Sequence, residues 1–222
     1  MRTPLLLVNL KTYKEGLGKG ALKIEQAAFK ASKKTGVNVG LAVQAVDLRL
    51  VKRVPLFSQH IDSAGFGTHT GFITPEAVKD SGAHGTLINH AEHKISLKEI
   101  ELGIKRAHEV GLEVIACAKD LNEAKSIAGL KEKPEFIAYE PPELIGGNIS
   151  VSTAKPEVLE EVVKEIMKID RKINVLCGAG IKDYNDALVA KKLGTKGLLV
   201  ASGIVKAENT EKAIIELCNG LK

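Results

Sequence analysis

Four apolar residues in succession, Phe136-Ile137-Ala138-Tyr139, run into Glu140 and then Pro141-Pro142. A strand with one wet face alternates apolar and polar side chains. An unbroken apolar run instead marks a strand covered on both faces, as in a parallel sheet between helices. Seven further runs complete the series, most of them equally continuous: Leu5 to Val8, Val37 to Val43, Ser58 to Ser63, Thr86 to Ile88, Leu112 to Cys117, Ile173 to Cys177 and Gly197 to Ala201. Amphipathic stretches separate them, several with start signals. Thr74 precedes a Pro75 at the first helical position. Ser96-Leu97-Lys98-Glu99 and Asp120-Leu121-Asn122-Glu123 have capping-box spacing. Pro156 opens an apolar stripe at helical period, Val158, Leu159, Val162, Val163, Ile166 and Met167, and Gly36 and Gly111 fall where helices should stop.

Eight strands in 222 residues leave about 28 residues per strand–helix unit. No linker or low-complexity tract divides the chain, so residues 1–222 are expected to form a single α/β domain, a (β/α)8 barrel, somewhat short of the roughly 250 residues usual for one. The interval from Asp120 to Glu135 leaves room for only a reduced fifth helical segment. An open doubly wound sheet is the structural rival, weakened because no GxGxxG follows the first strand.

Composition narrows the function. Apolar residues at 44% and charged residues at 27% exclude a disordered chain. Aromatics at 4%, with no Trp, are too few for a surface that stacks bases or sugars. The 32 basic against 27 acidic residues give a net charge of +5, scattered in runs as short as Lys33-Lys34 and Lys191-Lys192. That suits a small anionic substrate and argues against nucleic acid as a partner. Cys117, Cys177 and Cys218 are odd in number, without CxxC, and in apolar surroundings; they read as reduced core thiols. No apolar stretch approaches the ~18 residues needed to span a bilayer, and the start at Met1-Arg2-Thr3-Pro4 is too short for a signal peptide. A cytoplasmic protein with no membrane partner is expected.

In a (β/α)8 barrel the reactive residues gather where the strands end. The first run ends in Asn9-Leu10-Lys11, the fourth in Asn89-His90 and the sixth in Glu140. The seventh ends in Gly178-Ala179-Gly180 and the eighth in Ala201-Ser202-Gly203. These residues supply a base, an electrophile, a counter-charge and two turns whose N–H groups can approach a phosphate. A carboxylate ending a buried strand carries a desolvation cost that a surface glutamate lacks. His60, inside the third run, and His84, before the fourth, are expected to lie away from this rim. Two prolines and two glycines bracket Pro141 to Asn148, which reads as a lid over the base.

The segments Asn9-Leu10-Lys11, Gly67-Thr68-His69-Thr70-Gly71, Ile88-Asn89-His90-Ala91-Glu92, Ile115-Ala116-Cys117, Ala138-Tyr139-Glu140-Pro141 with Ile145-Gly146, Cys177-Gly178-Ala179-Gly180 and Leu199-Val200-Ala201-Ser202-Gly203 occur in the order found in one family. The chain resembles the triosephosphate isomerases, whose fold is the TIM barrel, and in particular their shorter archaeal form. The resemblance implies a reaction interconverting dihydroxyacetone phosphate and glyceraldehyde 3-phosphate, with Glu140 as base and His90 as neutral electrophile. Lys11 and Asn9 would balance charge and orient the substrate, with Glu92 in an auxiliary role. It places the phosphate on Ile145, Gly146, Gly180, Ala201, Ser202 and Gly203, and requires no metal and no organic cofactor. A helix start behind His90 is expected to disfavour its imidazolium form. Homotetramers are favoured and dimers possible, with Thr68 to Gly71 resembling a loop that reaches a neighbour's site. Departures include Ala91-Glu92-His93 for the family's Ser-Glu-Arg, Pro142-Glu143 for Val-Trp, Gly180 for Ser, and Ala201-Ser202 for a Gly pair.

Rival functions fare worse. A Schiff-base aldolase needs a lysine where Glu140 stands, and His90-Ala91-Glu92-His93 lacks the spacing of the helical zinc motif. A catalytically silent phosphate-binding barrel has no need of base, electrophile and lysine together.

Overall fold

Consecutive side chains of a strand leave on opposite faces, and in this protein both faces are dry. Leu5 and Leu7 point one way with Phe57, Leu87, Ile115, Phe136 and Leu176, filling the inside of a cylinder. Leu6 and Val8 point the other way, joining Leu41, Val114, Ile137 and Val175 against a shell of helices. The computed structural model describes residues 1–141 and 151–222. Its strands are β1 (Leu5–Asn9), β2 (Asn38–Val43), β3 (Leu56–Ser58), β4 (Gly85–Ile88), β5 (Glu113–Ala118), β6 (Phe136–Tyr139), β7 (Asn174–Cys177) and β8 (Gly197–Val200). They pair in parallel and in chain order, and β8 closes on β1 with Leu5 opposite Gly197 and Val8 opposite Val200. The expected (β/α)8 barrel is the observed fold.

The helices are α1 (Lys19–Thr35), α2 (Pro75–Asp80), α3 (Leu97–Glu109), α4 (Leu121–Ala128), α5 (Val151–Ala154), α6 (Pro156–Ile169), α7 (Tyr184–Lys192), α8 (Ser202–Val205) and α9 (Thr210–Leu221). The start signals operate as chemistry demands. The Thr74 hydroxyl accepts from the Ala77 N–H, and Ser96 with Glu99 completes a reciprocal capping box. Gly36 ends α1 at φ +77°, donating its N–H to the Ser32 carbonyl. The segment after β5 is short, as expected, with eight residues in α4. All three cysteines are buried and unbridged. Among the described residues no helix is long and apolar enough to cross a membrane.

Three expectations need correction. The third strand is Leu56–Ser58, not Ser58 to Ser63. The Ser58 hydroxyl donates to the His60 carbonyl at 2.6 Å and folds the chain back there, so the mostly polar residues beyond it belong to a loop. The second unit has no α-helix. A 3-10 turn, Ala45–Asp47, spans part of the crossover, and the Lys52 and Arg53 amides both donate to the buried Glu25 carboxylate of α1. That buried acceptor satisfies backbone groups that a helix would have satisfied internally. Finally, Asp120 caps α4 through the Glu123 N–H, but Glu123 does not return the bond to Asp120.

Phe57 is fully buried inside the cylinder. Phe57→Ala is expected to lower the unfolding free energy by about 3–5 kcal/mol, read from chemical denaturation. A loss below about 1 kcal/mol would mean that the interior is not the packed core described here.

Candidate active site

β1 delivers Asn9 and Lys11 to the rim where the strands end. Lys11 has φ +46°, a conformation sparsely populated by a lysine. Its N–H donates to Asn9 Oδ1 at 2.9 Å, and Gln59 Nε2 donates both to that oxygen, at 3.1 Å, and to the Lys11 carbonyl, at 3.0 Å. The Lys11 ammonium donates to Glu92 Oε1 at 2.7 Å.

β4 ends at Ile88, and the chain turns at Asn89, φ +58°, to present His90. The Glu92 N–H donates to His90 Nδ1 at 3.1 Å. A ring nitrogen that accepts carries no proton, so this geometry assigns the proton to Nε2 and makes the ring neutral. The expected cause of that neutrality is corrected: no helix starts directly behind His90, since α3 begins at Leu97 after an intervening turn. One backbone amide does the work assigned to a helix dipole.

Glu140 follows β6, its N–H donating to the Ala118 carbonyl. Its side chain is 4% exposed, and Oε1 lies 3.5 Å from His90 Nε2. Oε2 is buried with no hydrogen-bond partner among the described residues, a condition it shares with Glu76 Oε2 and Glu113 Oε2. The Cys117 thiol faces the carboxylate; burial, then the Glu140 charge, push that thiol well above its ordinary value. Gly178 backs the base so closely that a Cβ there would stand 2.4 Å from Glu140 Cγ.

A cleft of about 370 Å³ joins these groups. It is lined by Asn9, Lys11, His90 and Glu140, and on the far side by Gly178, Gly180, Ala201, Ser202 and Gly203. The structure thus brings together every proposed site residue from β1, β4, β6, β7 and β8, and Glu92 stands at the edge. Ile145 and Gly146, with the lid stretch to Asn148, lie outside the described residues.

Sequence reading missed Gln59, which buttresses Asn9 and Lys11, and Lys182 and Tyr13, which line the cleft. Gln59 was findable: once β3 ends at Ser58, it is the first polar residue past a strand end. The same shift corrects His60. It lies at the rim after all, in an adjoining cleft with Gln59, Glu92 and His93, its ring centroid 4.2 Å from that of His93. Burial and then the His93 charge lower its pKa, with Asp62 opposing them. Among the described residues no group of three His, Cys, Asp or Glu side chains is disposed to hold a metal ion.

A carboxylate facing a neutral N–H across a cleft, with a cation beside it, can move a proton between carbons next to a carbonyl. Comparison with known proteins points the same way. The sequence profile of the family described as Triosephosphate isomerase matches residues 4–219. The protein named triosephosphate isomerase of Methanocaldococcus jannaschii is 46% identical over 216 residues, covering 96% of this chain and 98% of its own. Those of Methanobacterium bryantii, at 42% over 97% and 96% of the two chains, and Archaeoglobus fulgidus, at 41% over 96% of each, are similar too. This chain belongs to the triosephosphate isomerase family.

Proposed function

We propose that the protein interconverts dihydroxyacetone phosphate and D-glyceraldehyde 3-phosphate through an enediolate, serving glycolysis and gluconeogenesis in the cytoplasm. The observation that carries this reading is the 3.5 Å approach of Glu140 Oε1 and His90 Nε2 across the cleft mouth. Glu140 takes the proton from the carbon next to the carbonyl and returns it to the neighbouring carbon. His90 donates its Nε2 hydrogen bond to the oxygen on which charge develops. Lys11, held by Glu92, balances the charge of enediolate and phosphate, and Asn9 orients both. The phosphate takes N–H groups around Gly180, Ala201, Ser202 and Gly203, with Ile145 and Gly146 completing its shell. Residues 1–222 act as one barrel domain. No step calls for a metal or an organic cofactor, so turnover is expected to survive a chelator.

The chain is also proposed to work as a homo-oligomer, a tetramer in preference to a dimer. Supporting this, Phe66 and Phe72 flank the Thr68 to Gly71 loop at 86% and 53% exposure, apolar side chains that a second copy could cover. Sedimentation should give a species heavier than one chain, and Phe66→Asp should shift it lighter; a monomer in the unaltered protein would sink this part.

A coupled assay with glyceraldehyde 3-phosphate tests the reaction directly. Glu140→Asp withdraws the carboxylate by about 1 Å and should cost about 10²-fold in kcat with little change in melting temperature. Gly178→Ala should cost a comparable factor, because its new Cβ would lie 2.4 Å from Glu140 Cγ. Near-normal turnover in Glu140→Asp would remove Glu140 from the role of base.

A further inference from the structure

Glu123 stands where a capping-box acid should stand and does not serve as one. Its carboxylate reaches sideways out of α4. Oε2 accepts the Lys119 N–H at 2.7 Å, while Oε1 accepts Asn89 Nδ2 at 3.1 Å and pairs with the Lys94 ammonium. One side chain thereby ties the turn after β5 to two points of the loop after β4, Asn89 just before His90 and Lys94 beyond it. The Asn89 side chain is fully committed in return. Its Nδ2 also donates to the Cys117 carbonyl of β5 at 2.8 Å, and its Oδ1 accepts from the Ile95 N–H at 3.2 Å. Asn89 is 1% exposed.

We propose that Glu123 is a positioning residue for His90: it holds Asn89 in the left-handed conformation that turns the imidazole toward Glu140. The proposal rests on the reading of His90 as electrophile and Glu140 as base. An L-residue other than glycine enters that backbone region at a cost, and Asn does so best when its side chain is hydrogen-bonded locally. Here those bonds reach across two loops. Relaxation of φ at Asn89 would break them and leave part-buried polar groups unpaired. The same rotation would carry His90 and the Glu92 N–H, which fixes the ring tautomer, away from the cleft. Cys117 links the network to the base as well, since its carbonyl receives Asn89 and its thiol faces Glu140. The clamp is charge-assisted: although burial works against the Glu123 carboxylate, Lys94, the Lys119 amide and Asn89 bring its pKa below the ordinary value. A mere helix cap has no need of this arrangement, because Asp120 already caps α4.

The test uses the full chain and two readouts. In Glu123→Ala, kcat should fall about tenfold or more, since displacement of a catalytic group by about 1 Å costs about 10²-fold, while KM stays within about twofold of the unaltered protein. Glu123→Gln, which keeps an acceptor oxygen, should recover part of the loss. In 15N spectra of histidine-labelled protein, His90 should show a single Nε2–H tautomer, and Glu123→Ala should mix the two tautomers. If that variant does not fold, Glu123→Gln and Asn89→Gly are read the same way, each expected to lower kcat with KM kept. An unchanged kcat with unchanged His90 nitrogen shifts overturns the proposal, whatever happens to the melting temperature. Should the unaltered protein not isomerise at all, the functional reading fails. The nitrogen shifts then still decide whether Glu123 orients the ring.

Discussion

Closing eight strands on themselves obliges every strand to bury both of its faces, and the rest of this protein follows from that obligation. Leu5 packs inside the cylinder while Leu6, the next residue, packs against helices outside it. Neither face has room for a charge or an unmatched amide. Polar chemistry is driven to the strand ends, where backbone pairing stops and the chain must turn. Asn9, His90, Glu140 and the glycine turns after β7 and β8 meet at one rim because parallel strands all end at the same side.

Two residues at that rim adopt positive φ without being glycine, Lys11 at +46° and Asn89 at +58°. Such conformations cost of order 1–3 kcal/mol each and persist only where their surroundings over-determine them. Each is held by a side chain from another unit of the barrel: Gln59 of the loop after β3 secures Lys11 through its carbonyl and Asn9, and Glu123 of α4 secures Asn89. Neither of these side chains lines the main cleft. Strain at the site is therefore balanced by hydrogen bonds from outside the cleft, and both supports come from units later in the chain, two strands on for Lys11 and one strand on for Asn89.

Much of this was legible in the chain. Continuous runs such as Phe136–Tyr139 announce strands covered twice, and a carboxylate directly after one is too costly to be idle. The run Ser58 to Ser63 misled because its first residue is the last of β3, and only Ile61 among its six residues is apolar. That error displaced the rim by several residues and hid Gln59 and His60 from view. The missing second helix and the diverted Glu123 were illegible for a related reason. Glu25 takes its partners, and Glu123 its Asn89 and Lys94, from segments distant along the chain, and spacing rules speak only of neighbours.

By itself, then, the sequence determined the periodicity, the number of strands and the residue types that stand at their ends, because burial on two faces and local capping are properties of adjacent residues. Tertiary structure decided which nitrogen of His90 carries the proton, what holds Lys11 and Asn89 in their unusual conformations, and why residue 178 must lack a side chain. Those depend on atoms brought within a few ångströms by closure of the barrel, and such contacts have no signature in a one-dimensional order.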